Sequence, residues 1–271
     1  MLHDFIPIVR NLPVEEYPDG ITIIPLADAH YGSQEFNEVL WHKTIKRIYD
    51  DPSCFCCLVG DLLDFGLKNS VTNVYEQTAT PRQQKAWLIE ELRCLAETDK
   101  ILCCTEGNHE YRSAKEVDDY ALYDVMLALG KEAVYRPNIC FLKVRFCYDF
   151  KGQPKHRQSF AFAVTHGAGG GQYIGSSANK VQNFGMAIEG IDCLITGHTH
   201  KPLTFPVSKL VFDPNADTVK QKKFTVAVAS SFLDYGGYPV RKLLTPTAHT
   251  TTEIKLTYAL GGQSKELRVL Q

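Results

Sequence analysis

Five short apolar runs in this 271-residue chain stop abruptly at Asp, Asn or His. Ile21–Leu26 leads into Ala27-Asp28-Ala29-His30, and 54–59 into Gly60-Asp61-Leu62-Leu63-Asp64. The run 100–105 leads into Glu106-Gly107-Asn108-His109-Glu110, 159–165 into His166-Gly167, and 191–196 into Gly197-His198-Thr199-His200. Runs of this length suit strands buried on both faces. An acidic or imidazole side chain just past such a strand costs free energy unless it meets water, a donor or a cation. Singly, each exit has a plainer reading. Asp28-x-His30 reads as a capped turn, 107–110 as a tight turn with a helix cap, and His166 as a satisfied loop or core histidine. The constraint comes from all five recurring at strand ends.

The segments between the exits carry helix signals. Ser33 is placed to cap a helix running to about Tyr49, with Phe36, Leu40 and Ile48 on one face. Thr80-Pro81 reads as N-cap then N1, with Trp87, Leu88, Leu92 and Leu95 as the buried face. A helix is expected over 117–129, stopping at Gly130. Strand and helix thus alternate through the first half, which predicts α/β layering. An N-terminal arm with an edge strand at 5–9 precedes it. In the second half, strands at 139–148 and 159–165 are expected around a polar turn containing Gly152 and Pro154, then a helix at 176–188. From 203 the pattern is β-rich, with a turn at Asp213-Pro214-Asn215 and strands near 224–229, 251–258 and 267–270. No repeat or linker is evident, so one domain over 1–271 is expected, with a motif core at 21–202 and a β-rich part at 203–271.

Composition narrows the class of partner. Hydrophobic content of 44% and charged content of 22% are those of a soluble globular protein. A net charge of -2 makes no electrostatic case for a large nucleic-acid footprint, although a local basic groove stays open. The start, Met1-Leu2-His3-Asp4, lacks the basic and apolar regions of a signal peptide, and no run is long enough to span a membrane. The nine cysteines lie mostly inside apolar runs, as reduced thiols of a cytoplasmic protein would.

Strand ends gather at one edge of an α/β sheet, where ligands bind. That would bring together Asp28, His30, Asp61, Asn108, His109, His166, His198 and His200. The set holds carboxylates, imidazoles and a carboxamide but no thiolate, which suits a catalytic site for Mn²⁺, Fe or Zn²⁺ better than a structural zinc site. It is too many donors for one ion and suits two, roughly 3.5–4 Å apart, of the kind that assist phosphoryl transfer. Asp61 is the candidate bridge. Manganese is the first expectation, with Fe, Zn, Ni and Mg as alternatives.

In order and content, the five blocks resemble those of the calcineurin-like metallophosphoesterases across residues 21–202. The resemblance implies a two-sheet sandwich flanked by helices, four layers deep (αββα). It implies that Asp28, His30, Asp61 and His200 hold one divalent ion and that Asp61, Asn108, His166 and His198 hold the other. It implies that His109 faces the scissile group as general acid, with Asp64 behind the ligands and Glu110 orienting His109. The implied activity is hydrolysis of a phosphate ester by hydroxide that the ion pair makes from water.

Substrate is less constrained. Where phosphoprotein phosphatases carry an arginine after the last Asp of the second block, this chain has Phe65, which weakens a protein-phosphatase reading. Arg112 is a candidate for a phosphate clamp from elsewhere, with an ordinary exposed arginine as the plainer alternative. Loops 66–80 and 167–175 start beside the site, and Asn69, Asn73, Tyr75, Gln77, Gln172 and Tyr173 are candidates for nucleotide or sugar contacts. The run Ala168-Gly169-Gly170-Gly171 lacks the lysine and spacing of a P-loop and reads as backbone room. The stretch 231–238, with Phe232, Tyr235 and Tyr238, reads either as a stacking or subunit surface or as a turn with buried aromatics. Lys220, Lys222 and Lys223 read as a solvated hairpin. The expected substrate is a phosphodiester of a nucleotide or nucleic acid, as in phosphodiesterases and DNA-repair exonucleases of the family. A small-molecule phosphomonoester is the alternative. A non-catalytic scaffold would be marked by missing ligands, and none is missing. An oligomer is compatible with the sequence but not legible in it.

Overall fold

A computed structural model describes residues 3–67, 74–150, 153–169, 173–241, 243, 245–258 and 265–271. The strands are β1 (Ile8–Pro13), β2 (Ile21–Leu26), β3 (Cys54–Leu58), β4 (Ile101–Cys104), β5 (Cys140–Phe150), β6 (Gln153–Val164), β7 (Cys193–Thr196), β8 (Leu203–Asp213), β9 (Thr218–Val228), β10 (Glu253–Thr257) and β11 (Glu266–Leu270). The helices are α1 (Glu38–Asp50), α2 (Pro81–Glu97), α3 (Tyr111–Val117), α4 (Ala121–Ala128), α5 (Ile174–Met186) and α6 (Gly237–Arg241). Among the described residues two sheets form, in the orders β1-β5-β6-β7-β9-β8 and β11-β10-β2-β3-β4. Within the second, β2, β3 and β4 run parallel; within the first, β6, β7 and β9 do. Parallel neighbours release the chain at the same edge, so the exits expected from the sequence are collected there by topology.

Apolar layers hold the sheets and helices together. Phe55, Cys57, Leu142, Phe160, Phe162 and Ile195 pack between the two sheets. Trp41, Ile48, Leu88, Leu92 and Val125 join α1, α2 and α4 to the outer face of the five-stranded sheet. Val181 of α5 packs on Leu194, Phe224 and Val226 of the six-stranded sheet. The result is the helix–sheet–sheet–helix arrangement expected. The strands β2, β3 and β4 are buried at every position, because each has a packed layer on both faces.

Local signals account for some boundaries and mislead on others. Helix α2 begins as read. Thr80 and Gln83 form a reciprocal capping box, with Pro81 in the first turn. Helix α1 is capped by Asn37, not Ser33; the Asn37 side chain accepts from the Leu40 N–H at 2.8 Å. Ser33 instead donates to Glu35, because the chain first makes bridges through Tyr31 and Phe36 before it coils. The helix expected over 117–129 is α4, which starts later at Ala121; a separate helix, α3, precedes it and is ended by Asp118 at a left-handed φ of 58°. The edge strand is β1, beginning at Ile8 and pairing in parallel with β5, three residues later than expected. Strand β6 begins at Gln153, which pairs with Phe150, so Pro154 lies inside the strand and not in the expected turn; Gly152 falls outside the described residues. Helix α5 starts and ends two residues before the expected 176–188. All nine cysteines are unpaired and seven are buried; burial pushes the Cys54 thiol up to about 11. No helix among the described residues is long and apolar enough to cross a membrane.

Candidate metal centre

The exits of β2, β3 and β4 supply Asp28, His30, Asp61, Asn108 and His109, and those of β6 and β7 supply His166, His198 and His200. Side chains from the two sheets meet across the gap between them. His200 Nε2 lies 3.2 Å from Asp28 Oδ1 and 3.2 Å from His30 Nε2. His166 Nε2 lies 3.1 Å from Asp61 Oδ2, 3.1 Å from Asn108 Oδ1 and 3.2 Å from His198 Nδ1. Between the two groups, His30 Nε2 is 3.8 Å from Asp61 Oδ2. Asp28, His30 and His200 form one cluster that could hold an ion, and Asp61, His166 and His198 another. A third combination draws His109 together with His30 and Asp61.

The local backbone is costly, and that cost sits at these residues. Asp28, His30, Asp61, His198 and His200 all have φ between +48° and +71°, the left-handed region that non-glycine residues avoid. Surrounding contacts hold them there. Asp28 accepts from the His198 backbone N–H at 2.9 Å, tying the β2 exit to the β7 exit. Asp61 accepts from the His109 N–H at 2.8 Å, tying β3 to β4. A Cβ at Gly107 would collide with the Asp61 backbone and carboxylate, so only glycine allows this approach.

Hydrogen bonding fixes which ring nitrogens remain free. His166 Nδ1 donates to the Val59 carbonyl at 2.8 Å, leaving Nε2 to face a carboxylate and a carboxamide oxygen. His30 Nδ1 donates to Asp64 at 3.2 Å, leaving its Nε2 toward His200 and the carboxylates. Neutral imidazoles would therefore bring lone pairs together with no proton among them. Such a donor set fits a divalent cation. The acid–base balance says the same. Burial would depress His166, but the adjoining Asp61 carboxylate outweighs it and raises the group to about 10. Burial raises the Asp28 and Asp61 carboxyls, and the histidines, His200 and His166 first, pull both below their usual range. The carboxylates thus favour positive charge at His166, while burial and neighbouring rings push His30 and His198 below their usual values.

Asp64 and Glu110 have distinct placements. Asp64 Oδ1 accepts from His30 Nδ1 at 3.2 Å and lies 3.1 Å from His109 Nδ1, while its Oδ2 accepts from Gln77 at 2.5 Å. The Asp64 carbonyl also accepts from His109 Nδ1 at 2.8 Å. The expectation that Glu110 orients the His109 ring is corrected, since Asp64 makes that contact. Glu110 is fully buried and accepts from the backbone N–H groups of Asp61, Leu63 and Gly107 at 2.9–3.0 Å. Its carboxylate braces the β3 exit from below. We expect Glu110→Gln to lower stability by about 2 kcal/mol, because its amide N–H would face a backbone N–H in place of an acceptor. Urea unfolding of the variant measures this; an unchanged midpoint would remove the bracing role.

The clusters open into a cavity of about 450 Å³. His109, Asn108, Arg112 and Gln77 line one side, and Glu76, Leu233, Asp234 and Arg241 the other. Of the loop residues expected beside the site, Gln77 lines the cavity. Tyr75 and Tyr173 are strongly exposed and do not line it, and Asn69, Asn73 and Gln172 lie outside the described residues. Of this wall, Leu233 and Asp234 lie in the stretch 231–238 read as a candidate stacking surface, while Arg241 is not foreshadowed in the sequence. Phe232 packs against Trp41 in the core, so the stretch 231–238 is in part a turn with a buried aromatic; the Tyr238 side chain is outside the described residues. On the exposed β8–β9 hairpin, Lys220 pairs with Asp213 and Lys222 with Glu189.

A family model described as calcineurin-like phosphoesterase matches residues 21–202. No curated protein matches the chain. Among solved structures, the chain is similar to a conserved uncharacterized protein, a predicted phosphoesterase, from Streptococcus pneumoniae TIGR4, at 12% identity and a TM-score of 0.36, covering 92% of this chain and 98% of that one. It is also similar to a metallophosphoesterase from Sphaerobacter thermophilus, at 15% identity and a TM-score of 0.36, covering 78% and 77%. These two likenesses are too loose to bear on the chemistry.

Proposed function

The chain belongs to the calcineurin-like phosphoesterases, metal-dependent hydrolases of phosphate esters, and on that premise we propose that it is a phosphodiesterase acting on a nucleotide or nucleic acid. The observation that carries this reading is the meeting of carboxylate and imidazole donors from five strand exits beside a cavity large enough for a nucleotide-sized group, lined among others by His30, Asp61, Asn108, His198 and His200. In this reading Asp28, His30, Asp61 and His200 hold one divalent ion, and Asp61, Asn108, His166 and His198 the other. Manganese is the first choice, with Fe, Zn, Ni and Mg as alternatives, since carboxylate and carboxamide oxygens suit Mn²⁺ and Mg²⁺ while imidazoles suit Fe, Zn and Ni. When bound, the ion pair activates water near neutral pH and neutralises phosphoryl oxygens.

The chain's own residues supply orientation and a proton. Asp64 holds His30 and His109 by their Nδ1 atoms, so both rings present Nε2. Burial lowers the His109 pKa, but the Asp61 and Asp64 carboxylates more than reverse this and keep it above its usual value. A protonated His109 can give its Nε2 proton to the departing ester oxygen as general acid. The strands β8, β9, β10 and β11 complete the same two sheets, which supports reading 21–202 and 203–271 as one domain. The unpaired, buried thiols favour a reducing compartment such as the cytoplasm.

A substrate panel tests the reading. With Mn²⁺, bis-p-nitrophenyl phosphate is expected to turn over faster than p-nitrophenyl phosphate, with labelled single- and double-stranded DNA included to detect nuclease action. A reversed ratio would assign a phosphomonoesterase instead.

A further inference from the structure

Two guanidinium groups line the cavity, and they are held differently. Arg241 makes a two-pronged ion pair with Glu76 at 3.1 and 3.3 Å. Arg112 is half-buried and donates to a backbone carbonyl, that of Asp64, at 3.3 Å. No carboxylate among the described residues pairs with it. It stands one turn after His109, on the same wall, and both side chains are anchored on that one carbonyl. A fixed positive charge beside a centre that itself gathers cations is unfavourable through mutual repulsion, unless an anion comes between them. A guanidinium retains several donors after giving one to a carbonyl, in a planar fork that matches two oxygens of a phosphoryl group. Position 65 cannot serve instead, because Phe65 is turned into the core beneath α1 and α2 and its backbone N–H is taken by Gln84.

We propose that Arg112 is the phosphate-binding residue of this site, donating to non-bridging oxygens of the phosphoryl group opposite the ions. The proposal rests on the phosphoester reading above, yet its test does not need turnover. The probe is inorganic phosphate, titrated calorimetrically into the Mn²⁺-loaded full chain and its variants Arg112→Met and Arg112→Lys. Metal content is expected to match the wild type in both. Phosphate affinity is expected to fall about tenfold or more in Arg112→Met, and by less in Arg112→Lys, which keeps a charge but not the fork. If Arg112→Met does not fold, Arg112→Lys carries the test. A merely structural role, acting through the shared Asp64 carbonyl, would lower turnover by displacing His109 and leave phosphate affinity unchanged. Phosphate affinity within about twofold of wild type in fully loaded variants would overturn the proposal. A wild type that binds phosphate through Arg112 but hydrolyses no ester would leave this inference standing and remove the phosphodiesterase reading.

Discussion

Asp61→Ala is expected to empty both halves of the metal centre. Asp61 Oδ2 lies 3.1 Å from His166 Nε2 and 3.8 Å from His30 Nε2, between the two clusters. Its other oxygen accepts from the His109 backbone N–H, so the truncation also frees the β4 exit to move. Removing a group that only supports a ligand costs about 10–100-fold in metal affinity, and a ligand shared by two ions should exceed that for each of them. The purified variant, dialysed and measured by elemental analysis, should hold far less metal per chain than the wild type. Circular dichroism should show that the fold persists, because Glu110 still braces the backbone at 61, 63 and 107. An unchanged metal-to-protein ratio would refute the bridging assignment.

His109→Ala should separate binding from chemistry. The variant is expected to keep its metal, since Asp28, His30, Asp61, Asn108, His166, His198 and His200 are untouched. Turnover of esters with poor leaving groups should fall on the order of 10²–10⁴-fold, the usual contribution of a positioned acid. Nitrophenyl esters should suffer less, because nitrophenolate departs without a proton. The pH dependence has a definite sign. His109 is held above its usual pKa, so the wild type should lose rate on poor leaving groups as pH rises through that value, and the variant should lack this limb. Equal losses on both ester classes would mean that His109 acts otherwise than as a proton donor.

The exits are legible in the sequence for a physical reason. Strands packed on both faces are almost wholly apolar, so the charged and imidazole residues just after them mark the sheet edge. The cap at Thr80-Pro81 is legible because its hydrogen bonds close within four residues. Relations between distant segments are not. The stretch 231–238 offers a surface reading through its aromatics, but nothing local says that Leu233, Asp234 and Arg241 return after β9 to wall the cavity. The role of Glu110 is hidden because its partners lie mostly on another strand's exit, 47 and 49 residues away. The Asp118-Asp119 pair does interrupt the apolar spacing of 117–129, but the left-handed turn at Asp118 is fixed by where α4 packs, which no local pattern records.

Each proposed ion takes donors from both sheets. The seam between those sheets is crossed at this edge by lone hydrogen bonds, such as those from His198 to Asp28 and from His166 to Val59. A bound ion is then a tie bar across the seam, comparable in effect to a cross-link that opens reversibly. Occupancy would then be linked to the docking of the two layers, adding at this edge to the apolar packing that already joins them, so that free metal should raise stability. Starved of metal, the molecule would first part where its donors meet, with the sheets still intact on either side.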